Sequence, residues 1–449
     1  EQRRRARAAS KFDVGVSVNT DDSLVSAFTG YDRLQQKTTV IGLYQDGRNV
    51  KSLNQGDVGG VILLETPFYA QSGGQVGDKG ELFKGDDVFF EVEDTKKQGQ
   101  SHIHLGVLRA GTIKVGDVLR ASVDQKRRVD TMRNHSATHL LHAALRKVLG
   151  DHVLQKGSLV ADDRLRFDFS HNEPLTRQEI IDIERLVNAQ ILNNEETEVR
   201  VMPLEKAKAS GAMSLFGEKY DDTVRVLNIG GEFSCELCGG THVEKAGDIG
   251  LFKITCESGI ASGVRRVEAV TGAGALNWVE NAEEKLIKIS ETLKTDIDTV
   301  DSKLAAQIDK ARKLEKELEQ LKGKMASSAG SDMASEAEVI DGVNVIAKTL
   351  DGADPKTLRD IVDQMKNKLG TAAVILATVS DSKVSLVAGV TKDSTDRIKA
   401  GDLVNFVAQQ VGGKGGGRPD MAQAGGNDPA ALEGALQKVP EWVRGQLSA

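Results

Sequence analysis

The sequence predicts an α+β protein of several domains, and three observations support this fold class. The chain has 449 residues, enough for two to four domains of about 100–200 residues each. Its first part alternates short β-branched runs with Gly and Asp turns, a pattern typical of a small barrel or sandwich. Its later parts combine strand-like runs with apolar residues at helical spacing. We therefore expect an N-terminal β-barrel, a second α+β domain, an antiparallel helical hairpin and a C-terminal α/β domain.

Residues 1–125 are expected to form the barrel, with the end of an upstream helix at 1–9. The predicted strands are residues 38–44, 60–64 and 88–92. A Gly-rich segment at 68–78 has two interpretations that stay open. It is either a bent strand connection that needs positive φ, or a loop that faces RNA or a substrate carbonyl. His102 and His104 alternate along a strand and are expected at the surface.

Residues 126–275 are expected to form the second, α+β domain. Apolar residues at helical spacing predict a helix over 131–149, and Gly150 would end it. Thr176 and Glu179 have the spacing of a capping box, which predicts the start of another helix.

Residues 276–335 change character and are rich in Lys, Glu, Leu and Ala. The pattern breaks at 295–300, which favours two antiparallel helices over one long rod. The Ser- and Gly-containing run at 327–332 predicts a flexible linker. Steps of four and three residues predict a coiled-coil seam of Leu314, Leu318, Leu321 and Met325.

Residues 336–449 predict the C-terminal α/β domain. Its helices are expected to begin at Pro355, Ser394 and Pro429. Between the last two helices lies a Gly-rich run at 412–426, which is not a Walker A loop because no Lys-Ser or Lys-Thr ends it. Exposed backbone N–H groups beside Lys414 and Arg418 would suit a phosphate or an RNA backbone.

Composition and charge exclude several classes of protein. The net charge of −7 argues against a uniformly basic nucleic-acid coat. Local basic patches remain possible binding surfaces, and the runs at 126–128 and 265–266 are two candidates. Three Cys are too few for a disulfide framework, which indicates a reducing, cytoplasmic compartment. No apolar run approaches the ~20 residues of a membrane span, and the basic start lacks the apolar segment of a signal peptide.

Two pairs of potential metal ligands lie far apart in the chain. His135 and His139 are four residues apart on the predicted helix, so their imidazoles share one face. Cys238 and His242 flank glycines that allow a tight turn. Three imidazoles and a thiolate form a ligand set that suits Zn²⁺.

Neighbouring residues leave alternatives open. Cys235 forms a Cys-x-x-Cys with Cys238 and could replace one histidine, although a small strand residue is the preferred interpretation. His142 is either a group behind the metal or a partly buried polar residue, and Cys256 is expected in the core. Four protein ligands leave it open whether the metal is structural or catalytic, because catalytic sites usually keep one position free.

Taken together, these motifs resemble the alanyl-tRNA synthetase family over essentially the whole chain. The two metal-ligand motifs alone are shared with the editing domain of threonyl-tRNA synthetases and with free-standing alanyl editing proteins. The Cys-Gly-Gly-Thr-His form and the long C-terminal extension are similar to the alanyl enzyme. The motifs that carry the resemblance are NHSATHL at 134–140, QKGSL at 155–159, RFDF at 166–169, LCGGTH at 237–242, GIASGVRR at 259–266, EAVTG at 268–272, FYAQSGGQ at 68–75 and the Gly-rich run at 412–426.

The resemblance implies an editing domain over 126–275 that holds one zinc per monomer and hydrolyses tRNA(Ala) mischarged with serine or glycine. Gln155 matches a pocket residue of the family, and Arg265 lies in a motif near the site, so both are catalytic candidates. The zinc ligands implied by the motifs are His135, His139, Cys238 and His242. The residues implied as tRNA-binding are Lys414, Gly415, Gly416 and Arg418.

The resemblance also implies partners. The C-terminal domain would contact the outer corner of the tRNA and could support a homodimer, with neither DNA nor a membrane as partner. The class II core of the family, which binds ATP and alanine, is expected to be absent, so that the chain edits tRNA(Ala) without charging it. Two alternatives stay open: a tRNA-binding module without enzymatic activity that holds a structural zinc, and a free-standing trans-editing deacylase.

Overall fold

The computed structural model describes residues 24–213, 221–380 and 382–448, and the side chains of these residues except 322–332. The helix expected at 1–9 lies outside the described residues. The architecture is mixed α+β, as the sequence predicts, and the chain divides into two compact units, Glu1–Ile287 and Lys288–Ala449. The finer division into four domains stays a prediction. Within the described residues, no helix is both long and apolar enough to cross a membrane.

A closed β-barrel of six strands forms the first part of the described chain, which confirms the predicted barrel. The strands of this region are β1 (Ala27–Phe28), β2 (Gln35–Gln45), β3 (Arg48–Asn49), β4 (Ser52–Asn54), β5 (Val58–Leu63), β6 (Glu65–Thr66), β7 (Gly80–Lys84), β8 (Val88–Gln98), β9 (Ser101–Ala110), β10 (Thr112–Lys114) and β11 (Val118–Val123). The ring runs β11-β7-β8-β9-β5-β2, and antiparallel pairing of β2 with β11 closes it. Along β8, Val88, Phe90 and Val92 are buried and alternate with half-buried residues, because successive strand side chains point to opposite faces.

His104 is in the barrel core, so the expectation that it lies at the surface is wrong. Its side chain is fully buried, with Nδ1 2.8 Å from the Val61 carbonyl and Nε2 2.7 Å from Thr66 Oγ1. Burial lowers the pKa of His104 to about 3, which keeps the ring neutral. Because the Val61 carbonyl only accepts, Nδ1 carries the proton and Nε2 accepts from the Thr66 hydroxyl. His102 is half-buried, with Nδ1 3.1 Å from the Phe68 carbonyl.

The remainder of the first unit is α+β. Its elements are α1 (Gln125–Leu149), β12 (Gln155–Val160), β13 (Leu165–Ser170), α2 (Arg177–Asn193), β14 (Glu198–Pro203), α3 (Leu204–Ala209), β15 (Thr223–Ile229), β16 (Ser234–Leu237), β17 (Phe252–Ala261), β18 (Val264–Thr271) and α4 (Gly272–Leu293), which continues past the boundary between the units. Two sheets are formed, in the orders β12-β13-β18-β17 and β14-β15-β16. Cys256, expected in the core, is exposed on β17.

The helix predicted over 131–149 is present and begins earlier, at Gln125. The Asp124 side chain accepts from the Arg127 amide and caps the helix, and Gly150 at φ 113° follows its last residue. The predicted capping box is also present, because Thr176 and Glu179 accept from each other's backbone amides.

A buried ion pair fastens α1 to the barrel. Arg128, 1% exposed, pairs with Asp78 and donates to the carbonyls of Gly30 and Pro67, each at 2.7 Å. Asp78 in turn accepts from the Tyr69 amide at 2.6 Å. Arg128 is therefore not free to meet a polyanion, which removes it from the basic patch predicted at 126–128.

Two helices flank the break that the sequence predicts at 295–300. After α4, a short 3-10 turn at Ile297–Thr299 leads into α5 (Val300–Met333). The break agrees with the sequence, but antiparallel packing of the two helices stays a prediction. The linker expected at 327–332 is wrong, since α5 continues through it as helix. The seam residues with described side chains, Leu314, Leu318 and Leu321, are exposed; the side chain of Met325 lies outside the described part.

The second unit places helices on both faces of a six-stranded sheet. Its elements after α5 are β19 (Glu338–Ile340), β20 (Val343–Thr349), α6 (Pro355–Leu369), β21 (Ala372–Ser380), β22 (Lys383–Val390), α7 (Ala400–Gln410), β23 (Lys414–Arg418), β24 (Met421–Gly426), α8 (Leu432–Gln437) and α9 (Val439–Ser448). The order is β19-β20-β21-β22-β24-β23. α6 covers one face, and α7, α8 and α9 cover the other.

Of the three helix starts predicted in this unit, one is confirmed and two differ from the structure. α6 begins at Pro355, as expected. The helix expected from Ser394 begins only at Ala400, after a short 3-10 turn at Lys392–Ser394, and Pro429 begins a 3-10 turn ahead of α8.

Replacing Arg128 by Leu should lower the free energy of unfolding of the first unit by about 3–5 kcal/mol, because Asp78 is left as a buried charge without its cation. Denaturant unfolding of the full chain measures the loss. Arg127→Leu is the control, since Arg127 pairs with Asp162 in a much more exposed setting and should cost about 1 kcal/mol or less. Equal losses in the two variants would contradict the anchoring role of Arg128.

Candidate metal centre

The four residues of the two ligand motifs meet at one point. α1 presents His135 and His139 one turn apart, and Cys238 and His242 follow directly after β16. One ligand atom from each residue lies within 4.8 Å of all the others; the three histidines are buried and Cys238 is half-buried. The structure therefore brings together every residue of the predicted zinc set.

The spacing of these atoms fits a tetrahedral metal ion. Cys238 Sγ is 3.2 Å from His242 Nε2 and 3.5 Å from His135 Nε2. Zinc bonds of about 2.0–2.3 Å place neighbouring ligand atoms roughly 3.3–3.8 Å apart. His139 Nε2 is buried without a hydrogen-bond partner among the described residues, and a cation would satisfy its lone pair. The donor set thus fits Zn²⁺.

The thiol is prepared to act as a thiolate. Burial alone would raise the pKa of Cys238, but His135 and His242 outweigh it and hold the pKa well below its ordinary value. The Gly240 amide also donates to Sγ at 3.4 Å. Because a metal binds the deprotonated sulfur, both effects favour ligation.

Glu236, which sequence reasoning missed, holds two histidines behind the cluster. Its Oε2 accepts from His139 Nδ1 at 2.7 Å and its Oε1 accepts from His142 Nδ1 at 2.9 Å. Burial would raise the pKa of Glu236, but His139 and His142 lower it to about 2, so the carboxylate is ionised. This arrangement leaves His139 Nε2 for the metal and places His142 behind the ligands. The only available signal was the position of Glu236 between Cys235 and Cys238.

Cys235 lies outside the cluster. It is in β16 opposite Asn228, half-buried, and burial raises the pKa of its thiol. Cys235 is therefore a strand residue and not a member of the cluster, which agrees with the preferred interpretation of the sequence.

A cavity of about 600 Å³ opens over the cluster. The barrel forms one wall, and the metal-ligand region, which consists of α1, β12 and residues 236–242, forms the other. Tyr31 Oη joins the two walls by donating to the Gly239 carbonyl at 2.6 Å. Gln155, predicted as a pocket residue, is in the lining. The lining residues on the barrel side are Phe28, Tyr31, Tyr69, Ala70, Ser72, Gly73, Lys97 and His102, and those on the other side are His135, Thr138, His139, Gln155, Ser158, Glu236, Leu237, Cys238, Gly239 and Gly240.

Arg265 is not part of this described lining. Its guanidinium pairs with Glu257 across the β17–β18 hairpin, with Nη2 2.5 Å from Oε1. Its neighbour Arg266 forms a two-bonded pair with Asp168, at 2.6 and 2.8 Å. Both arginines of the 265–266 run are thus engaged in ion pairs, and a direct role of Arg265 at the cavity stays an untested expectation.

The Gly-rich run at 412–426 forms a β-hairpin. Its first strand, β23, which carries the residues expected to bind phosphate, is the edge strand of the sheet. β23 pairs with β24, and the Gly415 amide donates to Asn405 Oδ1 at 2.9 Å. A β-carbon at Gly415 would lie 2.2 Å from Ala424 Cβ, so this glycine is needed for packing, whereas Gly416 has open space around it. Lys414 and Arg418 are exposed at the two ends of β23.

Three family models match parts of the chain. The model of class II (A) tRNA synthetases matches residues 1–127, the threonyl and alanyl tRNA synthetase second additional domain matches residues 224–268, and the DHHA1 domain matches residues 342–445. Among solved structures, the C-Ala domain of alanyl-tRNA synthetase from Aquifex aeolicus is similar at 27% identity. It covers 24% of this chain and 96% of that one, with a TM-score of 0.23.

The second of these segments contains Cys238 and His242, and the first contains the whole described barrel. The first two matched segments are those of tRNA synthetase models. Together, the three matches support an alanyl-tRNA synthetase-like protein.

A matched pair of glycines tests the cluster. A β-carbon at Gly240 would lie 2.1 Å from His135 Cε1, whereas nothing lies within 4 Å of one at Gly239. Gly240→Ala should displace the His135 ring and weaken zinc binding by about 10–100-fold, the range seen when ligand orientation is disturbed. Gly239→Ala should bind zinc like the parent. The measurement is zinc competition against a chelator, and unchanged affinity in Gly240→Ala would contradict the assigned cluster.

Proposed function

We propose that the chain hydrolyses the ester bond of tRNA(Ala) mischarged with serine or glycine. The observation that carries the proposal is that three of the four ligands, His135, His139 and Cys238, line the cavity of about 600 Å³. That volume lies in the range of small-molecule sites, about 300–1,000 Å³, so an aminoacyl group fits beside the cluster. The tRNA synthetase matches support the same substrate class.

His135, His139, Cys238 and His242 would hold the zinc ion, which could hold the neutral substrate amino group through its lone pair or lower the pKa of a water molecule towards ~7. We favour positioning, because four protein ligands complete a tetrahedral set. Gln155 and Ser158 on β12 present polar groups to the same cavity and could orient the aminoacyl ester.

Thr138 offers a means of recognising serine. It lies between the two histidines on α1, lines the cavity, and its hydroxyl donates to the Asn134 carbonyl at 2.8 Å. With its proton engaged, Thr138 Oγ1 presents only lone pairs to the cavity. A seryl hydroxyl can donate to it, whereas the methyl group of a correctly attached alanine cannot.

A separate hydrolytic site is needed because selection of an amino acid by size has a physical limit. A pocket shaped for alanine also admits glycine and rejects an added hydroxyl only weakly, with differences of about 1–3 kcal/mol. A hydrolytic site that accepts the hydroxyl through a hydrogen bond removes the seryl product after it has formed.

The rim of the cavity suits the end of an RNA. Lys97 is an exposed cation in the lining, and phosphate contacts from such groups fix the register of a nucleic acid. Phe28 and Tyr31 form an edge-to-face pair 4.8 Å apart at the same wall, and aromatic faces at a rim can stack on a terminal base.

The decisive experiment is hydrolysis of Ser-tRNA(Ala) and Gly-tRNA(Ala) by the zinc-loaded full chain. The parent should hydrolyse both esters. Thr138→Val should slow hydrolysis of the seryl ester by about tenfold, the worth of one buried hydrogen bond of about 1 kcal/mol or slightly more. Hydrolysis of the glycyl ester, which has no hydroxyl, should stay at the parent rate.

Zinc content of the same samples is the control, since Thr138 is not a ligand. Equal slowing of both esters would contradict recognition of the seryl hydroxyl by Thr138. Absence of any hydrolysis in zinc-loaded parent protein would refute the proposed activity. It would favour a tRNA-binding module with a structural zinc, which the complete four-ligand set also suits.

We propose that Lys414 and Arg418 contact tRNA phosphates from β23. Replacing both by Ala should weaken tRNA binding for all sequences and reduce the salt dependence by about 0.7–0.9 units of log–log slope per lost contact. Lys438→Ala with Arg444→Ala, an exposed basic pair of the same unit, is the matched control. Filter binding over a range of salt concentrations measures both, and a parent-like slope in the Lys414/Arg418 variant would exclude β23 from the interface.

A further inference from the structure

Gln75 is a barrel residue whose amide lies buried against the metal-ligand region. It is fully buried in the segment between β6 and β7. The Thr241 amide donates to Gln75 Oε1 at 3.0 Å, and Gln75 Nε2 donates to Thr241 Oγ1 at 2.9 Å. Because a backbone N–H can only donate, the atom facing it is the amide oxygen. The orientation of the Gln75 amide is therefore set by its partners.

The same oxygen determines which ring nitrogen of His135 carries the proton. His135 Nδ1 lies 2.8 Å from Gln75 Oε1. Since an amide oxygen can only accept, Nδ1 carries the proton and Nε2 keeps its lone pair. That Nε2 is the atom 3.5 Å from Cys238 Sγ in the ligand cluster.

The segment that carries Gln75 is held against the end of β12 by two backbone hydrogen bonds. The Val76 amide donates to the Val160 carbonyl at 3.0 Å, and the Val160 amide donates to the Gly74 carbonyl at 2.8 Å. Gly240 packs closely as well, because a β-carbon there would lie 2.9 Å from Gln75 Oε1. The position of the amide is thus fixed from both sides.

We infer that Gln75 is a positioning residue of the metal centre, which fixes the tautomer and ring orientation of His135 and makes the barrel part of that centre. The carboxylate of Glu236 orients His139 in the same way, by accepting from its Nδ1 within the metal-ligand region itself. His135 instead depends on a neutral amide from the barrel. The inference rests on metal binding by the four ligands under the proposed function.

Zinc affinity of the full chain, measured by chelator competition, tests this role together with the absorption spectrum of the Co²⁺-substituted protein. Gln75→Met keeps the length of the side chain and removes both polar atoms. It should weaken zinc binding by about 10–100-fold, as for other groups that orient metal ligands, and should shift the cobalt bands. Gln75→Glu should restore affinity to within a few-fold, because a carboxylate accepts from both His135 Nδ1 and the Thr241 amide.

Two controls separate orientation from stability. Thr66→Val removes a buried hydrogen bond to His104 in the barrel core, away from the cluster, and Gln71→Ala changes an exposed glutamine of the same segment. Both should retain parent zinc affinity and cobalt bands. If Gln75→Met does not fold, Gln75→Asn, which shortens the reach of the amide, should show the loss instead.

Parent-like affinity and cobalt bands in Gln75→Met, or in Gln75→Asn where the former does not fold, would overturn the inference. Loss of zinc in Gln75→Glu equal to that in Gln75→Met would also overturn it, because the acceptor would then be irrelevant. Failure of the parent itself to bind zinc would instead refute the metal centre on which the proposed function depends.

Discussion

The buried pair of Arg128 and Asp78 is the interaction on which the site depends. Asp78 ends the barrel segment that carries Gln75, and Arg128 lies two turns before His135 on α1. The ion pair thus joins the barrel segment to the helix that carries half of the ligand set. A buried pair of this kind adds little net stability over apolar packing, but either partner alone would be costly. Its value here is geometric, since Arg128 joins α1 to three defined points of the barrel region.

The elements that depend on residues close together in the chain could be predicted from the sequence. Helical spacing predicted α1, and the Thr176 and Glu179 pair predicted the start of α2, because both depend on residues within a few positions of each other. The ligand cluster was readable for a related reason. Each half of it, His135 with His139 and Cys238 with His242, is a local motif with metal-binding spacing.

Contacts between residues that are distant in the sequence could not be predicted from it. Gln75 and Thr241 are 166 residues apart in the chain, and no spacing rule connects them. His104 was expected at the surface because strand alternation does not say which face a closed barrel encloses. The strand pairing of the Gly-rich run at 412–426 was not predicted, because glycine has low intrinsic strand propensity. Close pairing of Gly415 with Ala424 determines that strand instead.

The hydrogen bonds behind the ligands also bear on how the site would work. His135 and His139 use Nδ1 to reach acceptors of different charge, a neutral amide and an ionised carboxylate. A carboxylate behind an imidazole makes that ligand a stronger donor than an amide does. Together with one thiolate, Glu236 offsets the charge of a divalent ion within a buried cluster. The open side of the cluster faces the cavity, where Thr138 and Gln155 stand. The substrate would therefore meet a centre whose charge is largely balanced, in which selection between side chains falls to neutral hydrogen bonds.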